Sequence, residues 1–113
     1  MNSKPTVFVS QETQHDFAKA EEYGEITFLT HDDLNNVKGS LHNEALIRDI
    51  RHKLRGFDPV RDWLVIAGSP YVAAVVFMIL GARGFRSLRL LRWDNRSFTY
   101  VPMMIDMGGK SDD

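Results

Sequence analysis

The sequence contains no cysteine among its 113 residues. Disulfide bonds, thiolate metal sites and a cysteine nucleophile are therefore excluded. The chain also lacks a basic amino-terminal segment followed by an apolar stretch, so no signal peptide is expected and we expect an intracellular protein. Neither G-x-G-x-x-G nor G-x-x-x-x-G-K-[ST] occurs, which removes the two specific nucleotide fingerprints. The sequence thus predicts no cofactor.

Patterns that indicate catalysis or metal binding are missing as well. The four histidines show neither H-x-H nor H-x-x-x-H spacing. His31-Asp32-Asp33 suggests a metal site, but polar loops produce such strings by chance. Glu12 is a single carboxylate without a placed partner, which is typical of a solvated loop residue. No catalytic residue and no metal ligand is assigned, and enzymatic activity has no positive evidence in the sequence.

Charge is unevenly placed along the chain, although the net charge is only −1. Residues 1–34 carry two lysines against seven acids, whereas residues 83–96 carry five arginines against Asp94. The arginines alternate with aromatic residues, a pattern that can bind nucleic acid through phosphate contacts and base stacking. A nucleic-acid-binding protein usually has an overall basic excess, so the near-neutral total favours a structural or protein-contact role.

The longest uncharged run extends from Trp63 to Ala82, and its length alone would suit a membrane-spanning helix. Gly68, Ser69 and Pro70 interrupt it near its start, and this trio ends a strand and begins a helix more naturally than it occupies a bilayer. We therefore predict a strand, a turn and a helix, and no membrane segment.

The apolar pattern predicts five strands and three helices in one domain of residues 1–107, followed by a disordered tail over residues 108–113. The predicted strands cover residues 6–10, 25–30, 62–67, 87–93 and 97–105, and the predicted helices cover residues 13–23, 41–56 and 71–82. This β-α-β-α-β-α-β-β order predicts an α/β class: a small three-layer, Rossmann-like domain whose mostly parallel sheet ends in a C-terminal antiparallel hairpin.

The last two strands are predicted to meet at a tight Asp94-Asn95 turn. That register would place Trp93 opposite Arg96 and Arg89 opposite Tyr100, with a cation–π contact in each pair. Pro102 marks the last strand as an edge strand, because proline has no N–H to donate to a neighbouring strand.

The first and third strands are expected to be neighbours, and ligands of such sheets lie at the carboxyl ends of these strands. A Gly-Ser-Pro turn that leads into a helix offers backbone N–H groups and the positive end of the helix dipole to an anion. The candidate ligand-binding residues are Ser10, Gln11, Glu12, Gly68, Ser69 and Pro70. Ser69 can equally be a helix N-cap with Pro70 at the first helical position, which is a purely structural arrangement.

The helix of residues 71–82 is apolar around its whole circumference, whereas a helix on one face of a small sheet should be polar outside. We expect another protein to cover the outer side of this helix. A second copy of the chain, forming a homodimer, is the simplest candidate, and a host or phage protein is the next candidate. The candidate partner-binding residues are Val75, Ile79, Trp93, Arg96 and Met103.

Several short motifs together resemble a family. They are Gln11-Glu12, Glu22-Tyr23-Gly24-Glu25 before Phe28-Leu29, Asp62-Trp63-Leu64 leading to Gly68-Ser69-Pro70, Arg92-Trp93-Asp94-Asn95-Arg96 and Tyr100-Val101-Pro102. Over about residues 6–106 the chain resembles small proteins encoded by tailed bacteriophages and prophages, in which Gly-Asp-Pro and a lighter, alanine-rich helix are usual. The resemblance implies a phage accessory protein that acts in the host cytoplasm.

Two functions remain open at this point. The first is a non-enzymatic phage accessory protein that binds a bacterial or phage protein, as the apolar helix indicates. The alternative is a small Rossmann-like module that binds or processes an anionic small molecule such as a nucleotide at the two strand ends.

Overall fold

Five strands form one mixed sheet in a computed structural model that describes residues 4–108. The strands are β1 (Thr6–Val9), β2 (Glu25–Phe28), β3 (Trp63–Val65), β4 (Ser87–Asp94) and β5 (Thr99–Asp106). Their order in the sheet is β2-β1-β3-β4-β5, and only the β4–β5 pair is antiparallel. The expected α/β class, the neighbouring first and third strands and the C-terminal hairpin are confirmed. The expected tail lies outside the described residues from residue 109 onward.

Two α-helices pack on the same face of the sheet. They are α1 (Leu41–Lys53) and α2 (Pro70–Ala82). Both connections step across the sheet in the same direction, so right-handed crossovers place both helices on one side. The main core lies between this pair and the sheet, and it includes Ile50 of α1, Val76 of α2 and Leu64 of β3.

The helix predicted for residues 13–23 is wrong, because only Ala18–Glu22 forms a short 3-10 helix. Before it, two side chains accept hydrogen bonds from nearby backbone: Thr13 from the His15 N–H and Asp16 from the Ala18 N–H. Such local bonds compete with helix formation. Within residues 4–108, the opposite face of the sheet is therefore covered by this 3-10 helix and its loop and by no α-helix, and the three-layer, Rossmann-like arrangement is not confirmed.

The uncharged run divides into a strand, a turn and a helix, as predicted. Ser69 is the N-cap of α2, since its Oγ accepts hydrogen bonds from the N–H groups of Tyr71 (3.1 Å) and Val72 (3.4 Å), and Pro70 stands at the first helical position. Each of α1 and α2 has 13 residues. Within the described part of the chain, no helix is long and apolar enough to cross a bilayer.

The predicted hairpin register is wrong by four residues along β5. Trp93 lies opposite Tyr100, not Arg96, and Arg89 lies opposite Met104. A loop of residues 95–98 replaces the tight turn, and Phe98 takes a positive φ of 54° to close it. The predicted cation–π pairs are wrong for the same reason: the Arg89 guanidinium lies 3.9 Å from the ring centroid of Trp63 instead.

β5 is the edge strand, as Pro102 predicted. The Met107 N–H donates to the Arg86 carbonyl (2.8 Å), and with the regular β4–β5 register this assigns the odd-numbered residues of β5 to the bonds with β4. Pro102 therefore stands at a position whose N–H would face outward. The free edge lacks a donor at its centre, which disfavours the addition of another strand.

A buried carboxylate, that of Asp62, connects the amino ends of β1 and β3. Asp62 is 0% exposed, and its carboxylate accepts hydrogen bonds from the N–H groups of Thr6 (2.9 Å) and Asp58 (2.8 Å) and from Arg61 Nε (2.8 Å) and Nη2 (3.0 Å). Burial alone would raise the pKa of Asp62, but the hydrogen bonds from Arg61, Thr6 and Asp58 outweigh it and leave that pKa below its usual value.

Asp62→Asn should destabilise the fold by about 3 kcal/mol at pH 7, because an amide cannot accept all these bonds. The pKa of Asp62 is lower in the folded state than in the unfolded state, so its contribution is complete above about pH 4 and is lost as the pH falls through the folded-state pKa. Urea unfolding from pH 7 to pH 2.5 should show the difference from wild type shrinking in acid. Asp49→Asn, which changes an exposed partner of Lys53, is the control and should shift stability by less than about 0.5 kcal/mol. A difference that persists unchanged at pH 2.5 would contradict this role for Asp62.

Candidate functional site

The turns that follow β1 and β3 lie side by side, as the sequence predicts. The Ser10 N–H donates to the Val65 carbonyl (2.9 Å). The buried Ser10 hydroxyl donates to the Ala67 carbonyl and accepts from the Ala67 N–H, both at 2.9 Å. Ser10 thereby continues the contact between β1 and β3 beyond the end of β3.

Gln11 bridges the two turns. Its Oε1 accepts a hydrogen bond from the Ser69 N–H (2.6 Å), and its Nε2 donates to the Asp32 carbonyl (2.9 Å). Glu12 is exposed, and its backbone N–H donates to the Thr30 carbonyl (2.8 Å). The Gln11 side chain therefore occupies the space in front of the helix start.

The first backbone donors of α2 are engaged within the chain. Ser69 N–H binds Gln11, Pro70 has no N–H, and the N–H groups of Tyr71 and Val72 bind the Ser69 hydroxyl. The six predicted ligand-site residues are thus brought together, but an anion at this turn would have to displace Gln11. The anion site at the helix start stays a prediction.

An opening lies beside Gly68, between the end of β3 and the β4–β5 hairpin. β3 pairs with β4 only at Leu64 and Leu90, whereas β4 continues to Asp94 with β5 as its partner. The hairpin therefore extends past β3 and leaves a groove of about 450 Å³. We call this the aromatic groove; its lining residues are Thr13, His15, Phe17, Val65, Ile66, Ala67, Gly68, Leu90, Leu91, Arg92, Trp93, Tyr100 and Met103.

Rings in edge-to-face contact form one wall of the aromatic groove. The His15 ring centroid lies 4.6 Å from that of Trp93 and 4.9 Å from that of Phe17, and Trp93 and Tyr100 are 5.0 Å apart. Trp93 Nε1 donates to Asn95 Oδ1 (3.0 Å), which fixes the orientation of the indole. These contacts hold the wall in place without any ion pair.

Two polar groups of the aromatic groove stand out. Tyr100 is only 3% exposed, yet its hydroxyl makes no hydrogen bond within residues 4–108, and burial, together with the charge of Asp16, raises its pKa. Arg92 is exposed at the groove and makes neither a hydrogen bond nor a salt bridge within the same residues, although it attracts the carboxylate of Asp94 and lowers the pKa of that group. Among residues 4–108, no aspartate or glutamate lines the groove.

A second groove, of about 440 Å³, lies on the outer side of the two helices. We call it the helix groove; it is lined by Ile47, Arg51, Val75, Met78, Ile79, Ala82 and Arg83. α2 contributes no charged side chain, and Met78 is 75% exposed. Arg83 follows α2 and donates to the carbonyls of Leu54 (2.6 Å) and Arg55 (3.3 Å), so it joins the C-terminal ends of both helices.

The five predicted partner-binding residues do not form one surface. Val75 and Ile79 line the helix groove, although Ile79 is itself buried in the core of the chain. Trp93 and Met103 line the aromatic groove on another side, and Arg96 is exposed in the hairpin loop outside both grooves. Sequence reasoning missed His15, which lies in a polar segment without a recognisable pattern, and it assigned Tyr100 only a structural contact.

Gly68→Ala should destabilise the chain through two separable effects. The backbone at Gly68 has a φ of 75°, which costs about 1 kcal/mol for alanine, and an added Cβ would overlap Gln11 Oε1. In a Gln11→Ala background the overlap with the amide is removed and the bridge is already lost, so the backbone effect and a tight 3.1 Å contact with the Cβ of residue 11 remain. Urea unfolding of the single and double variants should therefore show a combined loss about 1 kcal/mol smaller than the sum of the single losses. Strict additivity would show that Gln11 does not bridge the turns.

Comparison with known proteins gives a family match. No curated protein and no solved structure matches the chain. Residues 5–107 match the family model described as Phage Pam3 gp32-like protein. The match covers nearly the whole chain and agrees with the resemblance carried by residues 6–106. The chain therefore belongs to the Phage Pam3 gp32-like family of small phage-encoded proteins.

Proposed function

We propose that this chain is a non-enzymatic phage accessory protein that binds a bacterial or phage protein in the host cytoplasm. Family membership supports the phage origin. The uncharged outer side of α2, beside two arginines, is the observation that carries the binding function.

The outer side of α2 is unusual for a surface helix. Helices on one face of a sheet normally present charged side chains to water. Here Tyr71 is 67% exposed and Met78 is 75% exposed, and no residue of Pro70–Ala82 is charged. An exposed side chain of methionine is flexible and adapts to varied apolar partners. These features are typical of a surface that a second protein covers.

The shape and charge of the helix groove indicate its occupant. α1 and α2 run side by side, and the apolar side chains of Ile47, Val75 and Ile79 line the groove together with Arg51 and Arg83. No aspartate or glutamate of the described residues lines this groove. An amphipathic helix binds such a trough through apolar residues spaced three and four apart. We infer that the partner contributes a helix with acidic residues beside its apolar stripe.

In the homodimer predicted from the sequence, the helix groove would pack against the same groove of a second copy. In a two-fold contact the same patch meets itself, so Arg51 and Arg83 of both copies would enter one interface without acidic partners. Repulsion between like charges disfavours that arrangement. The helix groove therefore fits an acidic foreign helix better than a second copy.

Fluorescence anisotropy can test this function with a synthetic amphipathic helix of about 18 residues, carrying leucines on one face and glutamates beside them. A matched peptide has lysines in place of the glutamates. The glutamate peptide should bind more tightly than the lysine peptide. Its affinity should fall as the salt concentration is raised, because Arg51 and Arg83 are solvent-exposed and dissolved ions screen their charges. Met78→Glu should weaken binding by about tenfold or more, since it places an unpaired carboxylate at an apolar contact.

Val60→Glu is the control variant, because Val60 is exposed away from the helix groove and should leave peptide binding unchanged. Circular dichroism should show the same helix content for both variants. Equal binding of the two peptides, or of wild type and Met78→Glu, would overturn the acidic-helix assignment. A concentration-dependent dimer that Met78→Glu dissociates in sedimentation would identify a second copy as the occupant instead.

A further inference from the structure

The hydroxyl of a mostly buried tyrosine opens into the aromatic groove. Tyr100 is 3% exposed and its hydroxyl has no hydrogen bond within residues 4–108. No fully enclosed side-chain nitrogen or oxygen of these residues lacks a partner, so the hydroxyl is reached from outside. The aromatic groove is the opening that Tyr100 lines.

Arg92 is the charged side chain among the described residues that line the aromatic groove, while Asp94 on β4 attracts Arg92 and Asp16 acts on Tyr100 from outside the lining. Arg92 lines the groove without a hydrogen bond or salt bridge in the described part of the chain, and no acidic residue stands among the lining side chains. A guanidinium in this position attracts phosphate or carboxylate groups and can bind them through two parallel hydrogen bonds. The ligand is therefore expected to be an anion.

The remaining lining is apolar and aromatic, and the size suits a small molecule. Val65, Leu91 and Met103 provide apolar contacts, and the fixed rings of Trp93 and His15 form the wall. A volume of about 450 Å³ falls within the usual range for ligand pockets. Aromatic walls favour planar rings.

We propose that the aromatic groove binds a planar aromatic ring joined to an anionic group, the chemical class of the nucleoside monophosphates. The ring lies among Trp93 and the apolar side chains, its polar edge is hydrogen-bonded to the Tyr100 hydroxyl, and the anionic group is bound by Arg92. The groove lies where the carboxyl end of β3 meets Gly68, the usual ligand position in α/β sheets. The anion binds at the hairpin and not at the start of α2, whose donors are engaged. The site does not depend on the function of the helix groove.

Isothermal titration with AMP and adenosine tests the proposal on the full chain. AMP should bind wild type about tenfold more tightly than adenosine, because only AMP carries a group for Arg92. Arg92→Gln should abolish this difference and leave adenosine unchanged. Tyr100→Phe keeps the ring and removes only the hydroxyl, so both ligands should lose about fivefold in affinity. Arg96→Gln removes an equal charge from the hairpin loop outside the groove and should bind AMP as wild type does.

Three outcomes would overturn the proposal. AMP could show no saturable binding at millimolar concentration. Wild type, Tyr100→Phe and Arg92→Gln could bind AMP equally, which would show binding elsewhere. A capped tryptophan–aspartate dipeptide could bind through Tyr100 and Arg92 where AMP does not, which would assign the groove to a protein side chain. Because none of these measurements involves Met78 or the helical peptide, failure here is distinguishable from failure of the proposed protein-binding function.

Discussion

The buried carboxylate of Asp62 is the constraint on which the sheet depends. It joins the start of β1, through the Thr6 N–H, to the segment that leads into β3. Arg89 of β4 donates to the carbonyl of Arg61 (2.6 Å), so β4 is attached to the same short segment. Removing a carboxylate from water is costly, and the cost is offset only because its oxygens accept bonds from two backbone N–H groups and Arg61. The amino ends of the parallel strands are thereby aligned.

At the carboxyl ends of the same strands, neutral groups join β1 to β3 but do not join β3 to β4 in the described residues. Ser10 and Gln11 connect the turns after β1 and β3. In the part of the chain that the structure describes, no comparable side-chain bridge joins the carboxyl end of β3 to β4, and these two strands pair at Leu64 and Leu90. Since the sheet is fixed at one end and the hairpin extends past β3 at the other, the opening must lie at the carboxyl end. The aromatic groove is thus a consequence of strand lengths, β3 having three residues and β4 eight.

Local patterns predicted the elements whose stability comes from their own periodicity or caps. The apolar face of α1, the Ser69-Pro70 start of α2 and the edge position of Pro102 were all readable from neighbouring residues. The segment before Ala18 was not, because its polar side chains bind local backbone instead of allowing a helix. The hairpin register also failed, since a four-residue loop closed by Phe98 at positive φ has no strong sequence signature.

The site was predictable in position but not in detail. The rule for parallel strands brought Ser10 and Gly68 together, yet the bridge made by Gln11 depends on an orientation that only the folded chain defines. The arginine-rich segment shows the same limit. Arg83 binds the end of α1, and Arg89 lies over the Trp63 ring. Positions that look like one basic patch in the sequence therefore serve different parts of the fold, and Arg92 is the arginine that the fold leaves at the aromatic groove. A count of charges could not distinguish these roles, because burial and strand register, not composition, decide which cation remains available to a ligand.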